Sequence, residues 1–409
     1  MFVEKTDPQI ARLIRKETER QEETLNLIAS ENYPSKAARE ALSSIFVTKY
    51  SEGRPYKRYY AGQEIVDRLE TLVEERVRKI FKLDSKKWAV NAQPYSGSSA
   101  NYAVLRGLLK PGEKIMALPL SHGSHLTHGA PVSLSGQDFK VANYFLDKDG
   151  FLDYKEIEKI AKKELPKLII CGFTAYPRKI DFRKFSQIAK KVGAYLLADT
   201  SHITGLIVGG VHPSPFPWAD VVMTTTHKTL RGPRGAIIIC KKELENKIFK
   251  KVFPGLQGGP HEHTICAMGV ALKEAISPKF KKYARQIVKN AKALVIELKK
   301  YNFNLISGGT SNHLILIDLT NKGITGKQAQ DLLERAGIIV NKNTVPYDPC
   351  SSYDPSGIRL GTPALTTRGM KEKEMKKITF WINEVISNPE SALKIKKEVK
   401  KLCQKFFIP

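Results

Sequence analysis

The sequence predicts an α/β protein, in which a large domain with a mainly parallel sheet is followed by a smaller C-terminal α+β domain. Between about residues 64 and 260, short apolar runs alternate with segments of helical periodicity. Such alternation is typical of a parallel sheet that is covered by helices on both faces. The 409 residues, 42% of them hydrophobic, are sufficient for a sizeable core. We therefore expect a helical arm at 1–20, a large domain at 21–275 and a small domain at 276–409.

The elements of the large domain can be assigned in order along the chain. A charged amphipathic helix at 8–26 precedes a loop at 27–35. Helical segments then alternate with strands, for example at 100–109 and 181–193. The predicted strands are WAVNA (88–92), KIMAL (114–118), KLIICG (167–172), AYLLAD (194–199), DVVMTTT (220–226) and AIIIC (236–240).

The small domain begins after a long helical pattern at 267–300. A strand at 313–319, a helix at 326–336, a strand at 338–343 and a final helix then follow. This mixture indicates an α+β layer.

Several protein classes are disfavoured by composition. The longest apolar runs are strand-sized, far below the roughly 20 residues that a membrane-spanning helix needs. Charges interrupt the first twenty residues, where a signal peptide would need an apolar run, so we expect a cytoplasmic protein. The five cysteines include no CxxC pair, which argues against a disulfide framework and a thiolate zinc site.

The net charge of +26 raises nucleic-acid binding as an alternative. The lysines, however, are spread over helices that also carry glutamate, and no nucleic-acid-binding motif occurs. The one dense basic run, at 393–406, has apolar residues at helical spacing, as a solvated helix does. We expect no specific nucleic-acid partner, although the positive field can attract anionic small molecules.

A lysine in an unusual setting is the first candidate catalytic residue. Lys228 lies in TTTHKT (224–229), directly after a predicted strand and close to Thr225. An amine in a partly desolvated pocket has a lowered pKa and can condense with an aldehyde. A lysine on a solvated surface is the alternative.

An aspartate follows the neighbouring strand run. Asp199 comes after AYLLA, so its carboxylate should emerge at the edge of the sheet, where it needs a cationic partner. The protonated ring nitrogen of pyridoxal phosphate would supply that partner and make the ring an electron sink. A helix N-cap role for Asp199 is the alternative. His202, three residues on, is either an ordinary loop residue or a partner of the cofactor's hydroxyl.

A turn rich in serine and glycine, QPYSGSSANYAV (93–104), joins a strand to a helix. Backbone N–H groups and hydroxyls at a helix start bind phosphate. The segment is not a P-loop, and no GxGxxG occurs in the chain, so ATP and NAD are disfavoured.

Three histidines at equal spacing, His122, His125 and His128, raise a metal site as an alternative. Neither this segment nor HEH (261–263) has a nearby carboxylate in a known metal-binding pattern, so we expect no metal. An imidazole stacked on a flat cofactor ring is the better role for one of them.

Taken in order, these segments and others resemble the successive signatures of the serine hydroxymethyltransferase family, from about residue 20 to 385. That resemblance implies a pyridoxal-phosphate enzyme of fold type I, the aspartate aminotransferase-like fold, with a mostly parallel sheet of the seven-stranded type. The segments are LIASENYPS (27–35), KYSEG (49–53), KRYYAG (57–62), SGSSAN (96–101), HGSHLTHG (122–129), DTSH (199–202), TTTHKTLRGPRG (224–235), FPGLQGGP (253–260), ISGGTSNHL (306–314), VNKNTVP (340–346) and GIRLGTPA (357–364).

The resemblance also implies an activity. The family transfers the hydroxymethyl group of serine reversibly to tetrahydrofolate, through an external aldimine with pyridoxal phosphate, and gives glycine and 5,10-methylenetetrahydrofolate. It implies a homodimer with active sites shared between subunits, with a tetramer as the alternative. A folate-independent, threonine-type aldolase and transfer to a modified pterin such as tetrahydromethanopterin are the alternatives.

Cofactor contacts follow by position from the resemblance. Lys228 would form the internal Schiff base, Asp199 would pair with the pyridine nitrogen, and His125 would stack on the ring, with His202 near its hydroxyl. The phosphate would be held by Ser96, Gly97 and Ser98, and by Tyr50, Gly258 and Gly259 from the neighbouring subunit.

Substrate contacts follow in the same way. Arg359 would grip the substrate carboxylate, helped by Ser30, and Glu52 from the neighbour would handle the proton of the serine hydroxyl or of the folate. Tyr60 and His202 would line the substrate pocket. The pterin would contact Tyr59, Leu120, Gly123, Ser124 and Asn343. The family usually has glycine where this chain has Ser124, and often glutamine in place of Ser99.

Overall fold

A seven-stranded sheet organises the large domain in the computed structural model, which describes residues 2–409. Neighbouring strands are parallel except for Ala236–Lys241, which runs antiparallel to both of its neighbours. The predicted α/β fold with a mainly parallel sheet is therefore confirmed. In spatial order the strands are Trp88–Asn91, Ala236–Lys241, Val221–Thr225, Tyr195–Asp199, Leu168–Cys171, Lys114–Ala117 and Lys140–Asn143.

The inner strands are buried on both faces. Every residue of Leu168–Cys171 and of Val221–Thr225 is buried. Successive side chains of a strand point to opposite faces, so one strand contributes side chains to the hydrophobic cores on both faces of the sheet. Ile169 belongs to the same core cluster as Val73 and Phe185 on one face, and the neighbouring Ile170 belongs to the cluster on the other face.

Helices cover both faces of this sheet and continue into the C-terminal part of the chain. The α-helices are Phe2–Thr6, Pro8–Glu23, Lys36–Leu42, Glu64–Phe81, Gly97–Leu108, Leu134–Asp138, Tyr154–Glu164, Phe182–Lys191, Thr204–Val208, Glu245–Lys250, Glu262–Ala275, Pro278–Lys300, Gly326–Arg335, Pro363–Thr367, Glu372–Ser387 and Ala392–Cys403. Short 3₁₀ turns occupy Ile45–Thr48, Leu120–His122, Leu126–His128, Lys242–Leu244, Ile306–Gly308, Thr320–Lys322 and Pro389–Ser391, and a π-type turn occupies Lys251–Leu256. No helix within residues 2–409 is both long and apolar enough to cross a membrane.

The single long helix predicted at 267–300 is wrong. The structure has two helices, Glu262–Ala275 and Pro278–Lys300. Ser277 caps the second helix by accepting a hydrogen bond from the Phe280 backbone N–H, and Pro278 occupies the first helical turn. Serine followed by proline is a helix start signal, because proline has no N–H to donate to the preceding turn.

The small domain contains a four-stranded antiparallel sheet, in the order Asn304–Leu305, Leu314–Asp318, Gly357–Gly361 and Asn341–Asn343. The strand predicted at 338–343 is split in two. Its first part, Ile338–Ile339, pairs in parallel with Leu25–Asn26, and only the second part joins the sheet. A second two-stranded ladder joins Gly53–Arg54 to Lys57–Arg58.

The N-terminal segment packs beside the small domain. Leu25 and Leu27 belong to the same core cluster as Trp381 and Leu360. The boundaries expected after residues 20 and 275 stay a prediction.

The fold places several loops at one edge of the large sheet. Asp199 and Thr225 end two adjacent parallel strands, and Lys228 follows three residues after Thr225. In open α/β sheets, ligands bind beyond the carboxyl ends of such strands.

Candidate active site

A cleft of about 290 Å³ opens at the carboxyl ends of the parallel strands. It brings together many of the predicted site residues from five separate parts of the sequence. Its lining includes Ser30, Ser96, Gly97, Ser98, His125, Asp199, His202, Thr225 and Lys228.

Lys228 is a buried amine. Its side chain is 8% exposed, and Nζ donates a hydrogen bond to Thr225 Oγ1 at 3.2 Å. Burial lowers the pKa of Lys228 to about 8, because a charged amine loses its hydration there. A much larger fraction of this amine is therefore neutral and nucleophilic at physiological pH than of a solvated lysine, so the structure disfavours the surface-lysine alternative.

Asp199 is held as a carboxylate by four hydrogen bonds. Oδ1 accepts from the Ser201 N–H and Oγ at 3.0 and 2.6 Å, and Oδ2 lies 3.0 Å from both Asn101 Nδ2 and His128 Nε2. Burial alone would raise the pKa of Asp199, but the hydrogen bonds, first from His128 and then from Ser201, hold it well below its usual range. The alternative role as helix N-cap is wrong, because the next helix is capped at Ile203.

Two imidazoles in the cleft are neutral. Burial lowers the pKa of His125 to about 4, and its Nδ1 lies 2.7 Å from Thr127 Oγ1. Burial likewise brings the pKa of His202 well below its usual range, and its Nδ1 lies 3.2 Å from His313 Nε2. Neutral rings can stack on a flat ligand or accept a hydrogen bond without adding charge to the cleft.

The three equally spaced histidines do not converge. His122 accepts a hydrogen bond from the Leu146 N–H at Nδ1 and packs between Phe145 and Tyr347. Within residues 2–409, no three His, Cys, Asp or Glu side chains form a group that could hold a metal ion.

The start of the helix Gly97–Leu108 forms one end of the cleft. Ser96 caps this helix, and Ser96 and Ser98 are exposed to the cleft. A Cβ on Gly97 would lie 2.7 Å from Thr225 Cγ2, so only glycine lets the helix begin this close to the strand that leads to Lys228. Free backbone N–H groups and the helix dipole make this end suitable for a phosphate.

Arg359 is a buried cation without an acidic partner. It lies in the strand Gly357–Gly361 and is 8% exposed; Nη1 donates to the Thr174 carbonyl at 2.6 Å and Nε to Asn341 Oδ1 at 3.1 Å. No carboxylate lies within 4.0 Å of its guanidinium in the part of the chain that the structure describes. Burial lowers the pKa of Arg359 to about 10, which leaves it charged at neutral pH. Thr174 also lines the cleft, so the charge lies at its border.

A second group of predicted residues lies together, but none of them lines the Lys228 cleft of its own chain. Tyr50 and Tyr60 donate to the two Glu52 oxygens at 3.4 and 3.5 Å, and a Cβ on Gly258 would lie 3.0 Å from Glu52 Oε1. Gly259 packs near Tyr50 and accepts a hydrogen bond from Tyr95 Oη at 2.6 Å. We name Tyr50, Glu52, Tyr60, Gly258 and Gly259 the Glu52 cluster.

The residues expected to contact a pterin lie outside the cleft lining. Tyr59 packs edge-on against Phe253, and Leu120 is 45% exposed. Asn343 donates to the Thr344 carbonyl. A Cβ on Gly123 would lie 2.9 Å from the Ala175 Cβ, so this loop passes tightly over the next. Ser124 is buried, and its hydroxyl lies 3.0 Å from His128 Nδ1.

Asn32 holds the backbone of Lys228, and the sequence did not reveal this contact. Its Nδ2 donates to the Lys228 carbonyl at 2.9 Å and to Tyr283 Oη at 2.7 Å, and its Oδ1 accepts from Thr367 Oγ1 at 2.6 Å. One amide thus fixes the backbone of Lys228 to two helices of the C-terminal half. Asn32 lies within LIASENYPS, but nothing local to that segment indicates its partners.

A buried acidic pair supports the backbone next to Glu52. Ser51 Oγ donates to Glu262 Oε1 at 2.6 Å, while Arg58 binds Glu70 at 2.7 Å and Asp67 at 2.8 Å. Burial and then the neighbouring charge of Glu70 raise the pKa of Glu262 well above its usual range. Glu262 is therefore protonated at neutral pH, and Arg58 is paired with Glu70 and Asp67.

This assignment predicts unequal effects of two amide substitutions. Glu262→Gln should not lower the free energy of unfolding at pH 7, because one neutral hydrogen-bonding group replaces another. Glu70→Gln should destabilise by about 3 kcal/mol, since it leaves a buried Arg58 short of a charge partner. Thermal unfolding of both variants measures the difference.

The pH dependence of Glu262→Gln supplies its control. The folded wild type binds one more proton than the unfolded chain between the usual glutamate pKa and the raised one. The stability that this extra proton contributes is fully present below the pKa of Glu262 in the unfolded chain. It is lost as the pH rises from that pKa to the raised pKa of the folded protein. Glu262→Gln should therefore gain stability relative to wild type from pH 6 to pH 8.5; a constant difference would contradict a protonated Glu262.

Comparisons with known proteins agree with this geometry. A family model described as serine hydroxymethyltransferase matches residues 3–382. A protein named serine hydroxymethyltransferase from Methanosarcina barkeri is 55% identical over 411 residues, which cover 99% of this chain and 98% of that protein. One of the same name from Desulfotalea psychrophila is 52% identical over 410 residues, which cover 100% of this chain and 96% of that protein. The chain belongs to the serine hydroxymethyltransferase family, whose members are pyridoxal-phosphate-dependent transferases.

Proposed function

We propose that the Lys228 cleft transfers the hydroxymethyl group of serine reversibly to tetrahydrofolate, giving glycine and 5,10-methylenetetrahydrofolate. The observation that carries this assignment is the meeting of a buried amine at Lys228, a buried carboxylate at Asp199 and a buried, unpaired Arg359 around one cleft. The relatives' shared name favours this reaction over the threonine-type aldolase.

The residues of the cleft fit pyridoxal phosphate. Lys228 would hold its aldehyde carbon, the start of the helix Gly97–Leu108 would hold its phosphate, and Asp199 would keep its ring nitrogen protonated. The tight approach of Gly97 to Thr225 keeps the helix start open to an anion. When bound, pyridoxal phosphate would supply an electron sink for the Cα–Cβ bond that breaks in serine.

Arg359 binds and orients the amino acid. Its guanidinium has five N–H donors, and two of them are used by Thr174 and Asn341. The remaining donors suit a bidentate bond to the substrate carboxylate, with Ser30 alongside. Fixing the carboxylate restricts the orientation of the breaking bond, which is the entropic part of catalysis.

We propose that the Glu52 cluster completes the cleft of a second copy of the chain, in a homodimer. Its members are mutually packed and partly exposed, and Tyr95 joins them to the rim of the cleft in their own chain. Glu52 would exchange a proton with the serine hydroxyl or the folate, and Tyr50, Gly258 and Gly259 would contact the phosphate. Tyr60 would line the substrate pocket.

The pterin would lie at the outer rim, against Tyr59, Leu120, Gly123 and Asn343, with the Ser124 backbone close by. Leu120 offers an exposed apolar surface there. We also propose a cytoplasmic location, in keeping with five free thiols.

Mixed dimers test the shared site. Lys228→Ala and Glu52→Gln should each be inactive alone, Glu52→Gln by about 10²-fold through loss of proton transfer. When the two chains are co-expressed, half of a statistical mixture is hybrid, and each hybrid has one complete site. Serine cleavage with tetrahydrofolate should therefore recover to about a quarter of wild type.

Two lesions in the same cleft supply the control for the mixed dimers. Co-expression of Lys228→Ala with Asp199→Ala should give no recovery, because both residues lie in the cleft of their own chain and each hybrid therefore has two damaged clefts. A chain carrying both Lys228→Ala and Glu52→Gln should likewise rescue neither parent. No recovery in the Lys228–Glu52 pair, with hybrid dimers isolated by a different affinity tag on each chain, would assign Glu52 to the cleft of its own chain.

The lowered pKa of Lys228 predicts a pH profile for cofactor uptake. Only the neutral amine attacks an aldehyde, so the second-order rate of pyridoxal phosphate binding to the apoprotein should rise with pH and level off above about 8. Stopped-flow absorbance measures this rate. A rate that still rises tenfold per pH unit at pH 9.5 would indicate an amine with the usual lysine pKa near 10.4.

A further inference from the structure

A chain of hydrogen-bonding groups runs from Ser124 through His128 to Asp199. The Ser124 hydroxyl lies 3.0 Å from His128 Nδ1, and His128 Nε2 lies 3.0 Å from Asp199 Oδ2. The Ser124 residue is 1% exposed and the His128 side chain 1% exposed, so water does not compete for these bonds.

The chemistry of the two ends fixes where the protons lie. An ionised carboxylate only accepts, so His128 Nε2 must carry the proton that faces Asp199. His128 Nδ1 is the one hydrogen-bond partner of the Ser124 hydroxyl within residues 2–409. A buried hydroxyl keeps its proton bonded, and this proton has Nδ1 as its acceptor. His128 is then neutral, with its lone pair on Nδ1.

We infer that Ser124 and His128 are positioning residues for the carboxylate that pairs with the cofactor ring. Ser124 holds His128 in the neutral Nε2–H form, and His128 fixes the orientation of Asp199 without neutralising its charge. This inference rests on the proposed function, because it deepens the role of Asp199.

The neutral form of His128 matters for the charge balance. An imidazolium at His128 would add a positive charge beside the protonated ring nitrogen of the cofactor. It would also form an ion pair with Asp199 and so weaken the pairing of Asp199 with that nitrogen. A neutral N–H donor orients the carboxylate and leaves its full charge for the ring. Asn101 is likewise a neutral hydrogen-bond donor to this carboxylate: its Nδ2 donates to Asp199 Oδ2 at 3.0 Å and to Thr127 Oγ1 at 2.9 Å.

The arrangement also gives Ser124 a role that differs from a pterin contact. Its hydroxyl is directed toward His128, while its backbone carbonyl accepts from Thr174 Oγ1 at 2.6 Å. Loss of the hydroxyl should therefore affect cofactor binding more than the KM for tetrahydrofolate.

Histidine ¹⁵N NMR of the apoprotein tests the tautomer directly. The His128 signals, assigned with a His128→Gln variant, should show a proton on Nε2 and a hydrogen-bonded lone pair on Nδ1 at pH 7.5. In Ser124→Ala the Nδ1 resonance should move toward that of a free lone pair. A doubly protonated wild-type ring, or an Nδ1 resonance unchanged by Ser124→Ala, would overturn the inference.

Cofactor affinity gives a second readout. Ser124→Ala and Ser124→Gly should weaken pyridoxal phosphate binding to the apoprotein by about 3- to 10-fold, the effect of one buried hydrogen bond. Ser135→Ala is the matched control: Ser135 is equally buried and donates nothing to His128, but accepts from the Gly129 N–H. Equal weakening by Ser135→Ala would show a general loss of packing and overturn the assignment.

The two measurements separate this inference from the proposed function. If the wild-type protein does not take up pyridoxal phosphate at all, the proposed role of the cleft fails, whatever the NMR result. If uptake is normal and Ser124→Ala changes neither the NMR signals nor the affinity, only the positioning role fails.

Discussion

Replacing Lys228 with alanine is expected to lower steady-state turnover of serine by at least about 10³-fold, because no other amine can take its place in the cleft. The Nζ group is the one lysine amine that lines the cleft among residues 2–409. Its burial makes it reactive, and Thr225 and the backbone bond from Asn32 fix its direction. Binding of serine and pyridoxal phosphate should remain measurable, since Arg359 and the helix start are unchanged.

Borohydride reduction provides the chemical readout for Lys228. Treatment of the wild-type protein with pyridoxal phosphate and borohydride should attach the cofactor to the peptide that contains Lys228, and Lys228→Ala should remain unlabelled there. Lys114→Ala is the matched control, because Lys114 begins a strand of the same sheet at its opposite end and pairs with Glu164. It should alter turnover by less than about twofold, as expected of a partly exposed ion pair. Multiple turnovers at the wild-type rate in Lys228→Ala would refute its role.

The parts of the site that could be predicted from residue patterns are those that depend on neighbouring residues along the chain. An apolar run ending in a polar residue predicts a buried strand with a side chain at its carboxyl end, and Asp199 and Lys228 both follow such runs. The parallel arrangement then brings these ends together, because adjacent strands end at the same edge. Periodicity and one general rule of α/β sheets were sufficient.

The hydrogen bonds that tune these residues could not be predicted from local order. Asp199 is bonded by Asn101, 98 residues away, and by His128, 71 residues away. Asn32 and the Lys228 carbonyl are 196 residues apart. Each pairing depends on the full packing of the sheet and its helices. The strand Gly357–Gly361 was missed because glycine at both ends weakens a strand pattern, although it carries Arg359.

The helix break at Ser277 is a different case, because its signal was local. Serine capping followed by Pro278 at the first helical position is sufficient to end one helix and start the next. The continuous apolar periodicity on both sides concealed it. The Glu52 cluster is a third case: its residues were recognised, but their relation to a cleft in another subunit is not a property of one chain.

Arg359 is expected to give the second largest loss of activity. Arg359→Ala should lower kcat/KM for serine by about 10²- to 10³-fold, the effect of removing one partner from a buried charge pair. Arg359→Lys should restore only part of the lost kcat/KM, because an ammonium group cannot make the planar bidentate pair of hydrogen bonds to a carboxylate. Serine should raise the thermal midpoint of the wild-type protein but not that of Arg359→Ala, since only a bound ligand stabilises the fold.

Arg368 shows why the donor count of Arg359 matters, and it is the matched control. Within residues 2–409 both arginines are buried without a carboxylate partner, but all five donors of Arg368 are taken up by backbone carbonyls: those of Phe406, Gln21, Thr24, Glu22 and Cys403. Arg368→Ala should therefore lower thermal stability and leave the KM for serine unchanged. Arg359 has two acceptors in the part of the chain that the structure describes, so its remaining donors need an anion from outside the chain. If Arg359→Ala lost stability as Arg368→Ala does and kept its affinity for serine, Arg359 would be a structural residue, and the substrate carboxylate would have to bind elsewhere.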